Sequence, residues 1–523
     1  MKASKLAGKL KNHYYFPAYS GWVLLFLLIA VSMIYGYHNI LFMKTQGVHQ
    51  WRQADCLSIT MNYYQDGNGF FEPAIHNLGV DGTGKTAAEF PLAYYSVAQL
   101  WKLFGQHEFI FRLFNLLIFF AGLFALFKST EHILKDSVIS MGVVILLFSS
   151  PTIVYFANNF LMNVPALSLA LIGLYFFYRF YNSSKNRFLY LFALAFALAG
   201  LFKVSSLLSF CAIAGIFILE LFNVKLKNDG RVFNHPVRQA IPIALVFIIQ
   251  IVWYLYARNY NLAHNSGNFL IGILPVWELS PEQIKEVLSA IYGHIKWDYF
   301  RSGTQLTLVI MLLLVLINPR KVNRFLYLLT AFISIGFLVF TGLFFQALKH
   351  HDYYAIDLFI LAPVVLITFS EALRRNYTGI FKSVIFRIII VAFLIHNVDF
   401  ARRRMADRYN DNGWQNKEYA QYLKPFEDIG PYFKEIGIEP DDNVICLPDN
   451  AINISLYMMN RKGWTNYNVG MDKAKIENKI GLGAKYLIIY KDEVYRDKNI
   501  LQFTTHKIGE FKNVDIYELG ADE

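Results

Sequence analysis

The sequence predicts an all-α polytopic membrane bundle of about eleven spans plus interfacial helices, followed by a small C-terminal α/β domain. Three observations predict it. Of 523 residues, 55% are hydrophobic and only 17% are charged, and the mean hydropathy is +0.34, outside the habit of ordinary soluble chains. The apolar stretches run close to the ~20 residues that a bilayer-spanning helix needs. An aromatic share of 17%, led by 47 Phe and 33 Tyr, suits lipid-facing surface and interfacial belts.

The elements follow in order. Lys2, Lys5, Lys9 and Lys11 precede a span over about Tyr19–Phe42, too long for a signal-peptide core and without a small-residue cleavage site, so it is expected to be retained. With the basic end in the cytoplasm, this span delivers a long polar loop, 43–90, to the opposite face. Pro91–Phe104 is only about 14 residues and amphipathic, which suits an interfacial helix. Spans are then expected over Phe109–Phe127, Val138–Phe156, Val164–Phe180, Phe188–Phe202, Val204–Phe222 and Ile241–Ala257. A second long loop, 258–304, holds a helix start at Ser280-Pro281-Glu282-Gln283, a cap followed by proline in the first turn. Leu306–Ile317, Phe325–Phe345, Tyr354–Ser370 and Val384–Val398 complete the bundle. This assignment keeps nearly every Lys/Arg-rich short loop on one side, including Lys185, Lys225, Lys227, Arg320 and Arg374. Making Pro91–Phe104 a span would invert that.

From about Asp399 the composition turns polar, with Arg402-Arg403-Arg404 and alternating apolar and charged runs. Asn443–Leu447, Lys485–Tyr490 and Asn513–Leu519 read as strands and Asn450–Asn460 as a helix. The expected division is a transmembrane domain, 1–400, and a soluble α/β domain, 401–523. The net charge of +11 resides in loops between spans, which argues against a nucleic-acid partner. Cys56, Cys211 and Cys446 lie far apart and support neither a disulfide framework nor a Cys-based metal site.

The chemistry-bearing residues cluster in the segments expected on the non-cytoplasmic face. Asp55 is the carboxylate closest to the end of the first span, flanked by Trp51 and Arg52; oriented and tuned, it could take a proton from an acceptor hydroxyl or amine. The plain alternative is a solvated acid paired with Arg52. Glu89-Phe90-Pro91-Leu92 closes the same loop, where Glu89 would equally complement a helix dipole. Lys203 interrupts the apolar stretch Phe188–Phe222, where an unpaired ammonium costs about 2.5–3.5 kcal/mol near a span centre; at a turn between spans it could instead neutralise a lipid phosphate. Lys349-His350-His351-Asp352-Tyr353-Tyr354 gathers groups that could clamp a phosphate and a sugar, or form an interfacial belt. Adjacent histidines lack the i, i+4 spacing of a two-His metal site. Asn158, Asn159 and Asn163 occupy another turn, where capping explains them.

The acid after the first span, the Glu-x-Pro-Leu-x-Tyr-Tyr run at Glu89–Tyr95, the Lys203 turn and the His-Asp-Tyr-Tyr segment together resemble the glycosyltransferase C superfamily. The resemblance is to bacterial relatives of protein O-mannosyltransferases and of the lipid A aminoarabinose transferase, over about 20–400. It implies a polyprenyl-phosphate-sugar donor presented from the inner (plasma) membrane and transfer to a periplasmic lipid, glycan or protein acceptor. It further implies Asp55 as general base, donor-phosphate contacts from Arg52, Lys85, Lys203 and Lys349, and neither metal nor bound cofactor. The chain departs from the pattern in three places. Phe90 and a single Pro91 stand where aminoarabinose transferases have Lys-Pro-Pro, Asn163 stands roughly where an acid is often found, and Cys56 rather than a second acid follows Asp55. The competing class is a transporter or flippase of lipid-linked saccharides, which should show midplane charges or broken helices in matched halves.

Overall fold

The computed structural model describes residues 15–224, 226, 231–269, 272–410 and 414–520. The orienting residues Lys2, Lys5, Lys9 and Lys11, with Lys225 and Lys227, lie outside them. This is a multi-pass helical membrane protein. Among the described residues, eight helices are long and apolar enough to cross a bilayer: Pro17–Ile34, Glu108–Leu134, Asn163–Ser183, Val204–Leu221, Pro236–Ala263, Arg324–Leu343, Asp352–Asn376 and Val384–Arg408. Two bent pairs raise the candidates to ten. The remaining expected span is the helix Asn186–Phe202, whose 17 residues reach only about 26 Å. Trp22 and Phe26 are 74% exposed and Leu338 is 70% exposed, as apolar side chains facing lipid should be.

One expected span is broken. Val138–Phe156 divides into Ser137–Leu147 and Pro151–Ala157, bent by 79°. Pro151 supplies no N–H and forces the preceding Ser150 into extended backbone (φ −73°, ψ 118°). Arg112, inside the apolar run Phe109–Phe127, is wholly buried. Its Nη1 donates to the Asn158 carbonyl at 2.6 Å and its guanidinium lies 4.2 Å from the Phe160 ring centroid. Asn115 donates to the Asn159 carbonyl at 2.8 Å. The carbonyls just beyond the second piece, Pro151–Ala157, are thus satisfied by buried donors. The second bent pair, Pro281–Tyr299 and Ser302–Ile317, turns by 92°. It begins with the expected cap, a reciprocal box between Ser280 and Gln283. The last long helix runs to Arg408, so Arg402 and Arg403 are helical and pair with Asp399.

The chain forms two compact units. The first comprises Met1–Leu41, Arg112–Val252 and Gly272–Ala406; the second comprises Phe42–Phe111, Trp253–Ile271 and Asp407–Glu523. The second unit carries a five-stranded sheet. Its strands are β1 (Asn443–Leu447), β2 (Gly463–Thr465), β3 (Ala484–Ile489), β4 (Lys507–Phe511) and β5 (Val514–Glu518), in the order β2-β1-β3-β5-β4. β1 pairs in parallel with β2 and β3, while β5 is antiparallel to β3 and β4. Alternate residues of β1 enter opposite cores. Val444 and Cys446 meet Phe426 and Phe433, whereas Ile445 and Leu447 meet Trp464 and Ile476. Burial on both faces explains the unbroken apolar run of this strand.

The first loop joins this sheet. Leu78 N–H donates to the Gly463 carbonyl at 2.8 Å and Gly463 N–H donates to the His76 carbonyl at 3.0 Å. Gly463 has φ +153°, and a Cβ there would lie 1.8 Å from the Val444 carbonyl oxygen. Gly463→Ala should therefore destabilise the second unit by on the order of 3 kcal/mol. Limited proteolysis should cut the C-terminal 414–520 region of the variant and spare that of the wild type.

Candidate active site

Asp55 does not lie on an irregular loop. The first long polar segment contains a 16-residue helix, Gln50–Gln65, which starts after His49 in the left-handed region (φ 56°). Arg52 and Asp55, three residues apart, share one helix face. Arg52 Nη2 donates to both Glu89 carboxylate oxygens at 2.5 and 2.6 Å. Its Nη1 lies 3.6 Å from Asp55 Oδ2, and the guanidinium sits 5.0 Å from the Phe269 ring centroid. Tyr94 donates its hydroxyl to Glu89 at 3.2 Å. Asp55 Oδ1 accepts from Asn453 Nδ2 at 2.8 Å, while Oδ2 is buried without a hydrogen bond.

The side chain of Asp55 is 1% exposed. Burial, only partly offset by Arg52 and the Asn453 hydrogen bond, pushes its carboxyl up to about 6. Such a group can exchange a proton near neutral pH, and Oδ2, which faces Arg52 without a hydrogen bond, is the oxygen left to take it. Burial opposes the Arg52 charge, and the neighbouring Glu89 above all outweighs it, so the guanidinium stays protonated. A buried polar network continues along the helix. Ser58 Oγ is 2.7 Å from His76 Nδ1, and His76 Nε2 is 3.3 Å from Asn460 Oδ1. Burial lowers His76 to about 4, which keeps its ring neutral at pH 7.

Lys85 stands apart from this trio. It follows Gly84, whose φ of +67° brings its Cα so close to Ile75 that a Cβ would be 2.6 Å from the Ile75 carbonyl oxygen. Its Nζ is 3.9 Å from Glu72. It lines a cleft of about 320 Å³ with Asp81, His264, Asn268, Asn468 and Lys479.

In the first unit, Lys203 is the extended residue that ends the helix Asn186–Phe202. Its ammonium lies 4.8 Å from the Tyr354 ring centroid and interacts electrostatically with Asp357, which accepts a hydrogen bond from Ser205. His351 stacks on Tyr354 at 5.7 Å. Asn163 Nδ2 donates to the Tyr353 carbonyl at 3.1 Å, and Asp352 and Tyr353 are both buried. The rings of His350 and His351 are 6.5 Å apart at 70°, so the adjacent histidines diverge. Lys349 is paired with Glu286 at 2.8 Å. Among the described residues no group of three His, Cys, Asp or Glu side chains is arranged to hold a metal ion.

Residues 87–260 match the family described as dolichyl-phosphate-mannose-protein mannosyltransferase. The fold resembles that of ArnT from Cupriavidus metallidurans bound to undecaprenyl phosphate, with a TM-score of 0.61 and 12% identity over 97% of this chain and 99% of that one. Over nearly its whole length the chain therefore shares the fold of ArnT, and a third of it matches that mannosyltransferase family. The apo state of the same ArnT gives a TM-score of 0.60 at 11% identity, covering 96% and 98% of the two chains. The archaeal oligosaccharyltransferase AglB from Archaeoglobus fulgidus, in complex with an inhibitory peptide and a dolichol-phosphate, gives a TM-score of 0.52 at 11% identity, covering 90% of this chain and 70% of that one. No curated protein matches the sequence.

Sequence reasoning passed over Asn453, His76 and Asp357. Asp357 had a signal: it is an acid inside the apolar run Tyr354–Ser370, where ionisable groups are costly and usually functional. Asn453 had none, because it meets Asp55 across 398 residues of chain.

Proposed function

We propose that this protein is an integral-membrane glycosyltransferase that moves a sugar from a polyprenyl-phosphate donor to a lipid, glycan or protein acceptor, with Asp55 as general base. The observation that carries this is the buried Asp55 carboxylate, one oxygen held by Asn453 and the other turned toward Arg52 without a hydrogen bond, in surroundings that raise its affinity for a proton. In the reaction, Asp55 takes the acceptor proton as the acceptor oxygen or nitrogen bonds to the anomeric carbon. The bond from that carbon to the phosphate oxygen breaks, and its electron pair leaves with polyprenyl phosphate. A single displacement inverts the anomeric configuration. The polyprenyl phosphate is already a good leaving group, so alignment and a base supply what the chemistry lacks.

The likeness to an ArnT bound to undecaprenyl phosphate supports this class of donor. Lys85 and Lys203 are the proposed phosphate cations. Lys349 and Arg52 are engaged by Glu286 and Glu89, which gives Arg52 the role of holding the carboxylates rather than the donor. Asn163, His350, His351, Asp352 and Tyr353 are proposed to shape the site that takes the donor headgroup. The setting is a bacterial inner membrane, with the N-terminus cytoplasmic and the C-terminal α/β domain, 401–523, periplasmic. Neither a metal nor a bound cofactor is required.

The test is incubation of the purified chain with radiolabelled polyprenyl-phosphate sugars and an extract of membrane glycans and peptides. Labelled acceptor and free polyprenyl phosphate should appear in equal amounts. Intact donor that merely crosses a vesicle membrane would make the protein a transporter instead.

A further inference from the structure

We propose that Asn453, contributed by the C-terminal sheet region, is the positioning residue of Asp55, holding its carboxylate in one orientation through an amide whose own orientation the Asn77 main chain dictates. This rests on the assignment of Asp55 as the base. An amide side chain can present either its oxygen or its nitrogen. Here the choice is forced. The Asn77 N–H can only donate, and it points at Asn453 Oδ1 from 3.0 Å. Ser58 Oγ also donates to that oxygen, at 3.4 Å. The nitrogen end therefore faces Asp55 Oδ1, 2.8 Å away.

The residues that impose this choice are themselves anchored. Asn77 Nδ2 donates to the Ile452 carbonyl at 2.9 Å and to Asn468 Oδ1 at 2.6 Å. Asp449 accepts from Ser455 N–H and Oγ at 2.8 and 2.6 Å, bracing the turn between β1 and the helix Ile454–Met458. Asn453 is fully buried, so its amide cannot swing out to water.

The consequence falls on Asp55. An unrestrained carboxylate rotates about its last side-chain bond and offers either oxygen. With Oδ1 tied to Asn453, Oδ2 is the oxygen turned toward Arg52, 3.6 Å away and without a hydrogen bond. The charged groups acting on Asp55 are Arg52 from its own helix and Glu89 from the segment before the Leu92–Phe104 helix; Tyr94 and Cys56 surround that pair, and the nearby His76 is neutral. Asn453 is the neutral donor among them. A donor to the carboxylate favours its charged form.

Asn453→Asp isolates the contact. It retains the Oδ1 acceptor for Asn77 and Ser58 and changes only the atom that faces Asp55. Two carboxyl groups then share one proton, and the acid limb of the pH–rate profile for polyprenyl-phosphate-sugar turnover should move up by about one pH unit or more. At a pH below the limb, this is roughly a tenfold loss that recovers on raising the pH. The thermal midpoint of the purified full chain at pH 7.5 should fall. The exchange Asp55→Asn with Asn453→Asp rebuilds one amide–carboxylate pair with its roles reversed. It should restore the midpoint without restoring turnover. An unmoved acid limb in Asn453→Asp, or an exchange variant no more stable than Asn453→Asp, would overturn the proposal. Full turnover by Asp55→Asn would instead remove the base assignment, while the exchange would still report the contact.

Discussion

Asp55→Asn is expected to abolish sugar transfer and to leave a protein that is at least as stable as the wild type above pH 6. Loss of a positioned general base costs about 10²–10⁴ in rate, so turnover should drop by at least a hundredfold. The stability effect follows from the protonation balance. The Asp55 carboxyl titrates at about 6 when folded, above its ordinary 3.8, so between those values the folded state binds more protons than the unfolded chain. Stability attributable to this residue therefore falls as pH rises from 4 to 6 and stays low above that. An amide at position 55 escapes this penalty while its carbonyl still accepts from Asn453. Because it also deprives Arg52 of a carboxylate at 3.6 Å, the net gain should be modest, about 1–2 kcal/mol. The check is the thermal midpoint of both proteins from pH 4 to 8.5. The gap should widen up to pH 6 and then level. A variant with more than a tenth of wild-type turnover would refute Asp55 as the base.

Arg52→Ala should be the most damaging single change in the same group. It leaves Glu89 and Asp55, whose side chains are 14% and 1% exposed, as buried carboxylates without their cation. Breaking a buried pair in this way costs about 3–5 kcal/mol. The two carboxylates lie close enough for Glu89 to raise the Asp55 carboxyl, so loss of Arg52 should also carry the acid limb of turnover upward. Arg52→Lys should restore only part of the stability, since one ammonium cannot reproduce the two bonds to Glu89 together with the approach to Asp55. Adding Glu89→Gln to Arg52→Ala should recover much of the loss, because the most strongly paired carboxylate is then neutral. Denaturation midpoints of the four proteins in one detergent measure this. An Arg52→Ala variant as stable as wild type would mean that Glu89 and Asp55 are already protonated.

Which features were readable along the chain follows from the range of the forces involved. The expected span Phe325–Phe345 is the helix Arg324–Leu343 because bilayer thickness selects a length of apolar sequence wherever it occurs. The Ser280 cap was readable because all its hydrogen bonds close within one turn. β1 fell on Asn443–Leu447 as expected, since an apolar run between turn residues is itself a strand signal. By contrast, β2 is three residues long, and β4 lies at the sheet edge with charged residues at Lys507 and Glu510. Neither carries a pattern of its own, and each exists because a neighbouring strand offers unpaired backbone groups.

By itself, then, the sequence determined that this is a many-pass membrane protein, roughly where each apolar span runs, and that Asp55, Arg52 and Glu89 belong to one polar segment between the first spans. Only the tertiary structure decided that Asp55 is helical, that Arg52 is committed to Glu89, and that Asn453 reaches Asp55. The physical reason is that apolar length and helix caps are written in neighbouring residues, whereas the partner of a buried carboxylate is chosen by packing. Burial made the choice matter, because out of water an unpaired polar atom has no solvent to satisfy it.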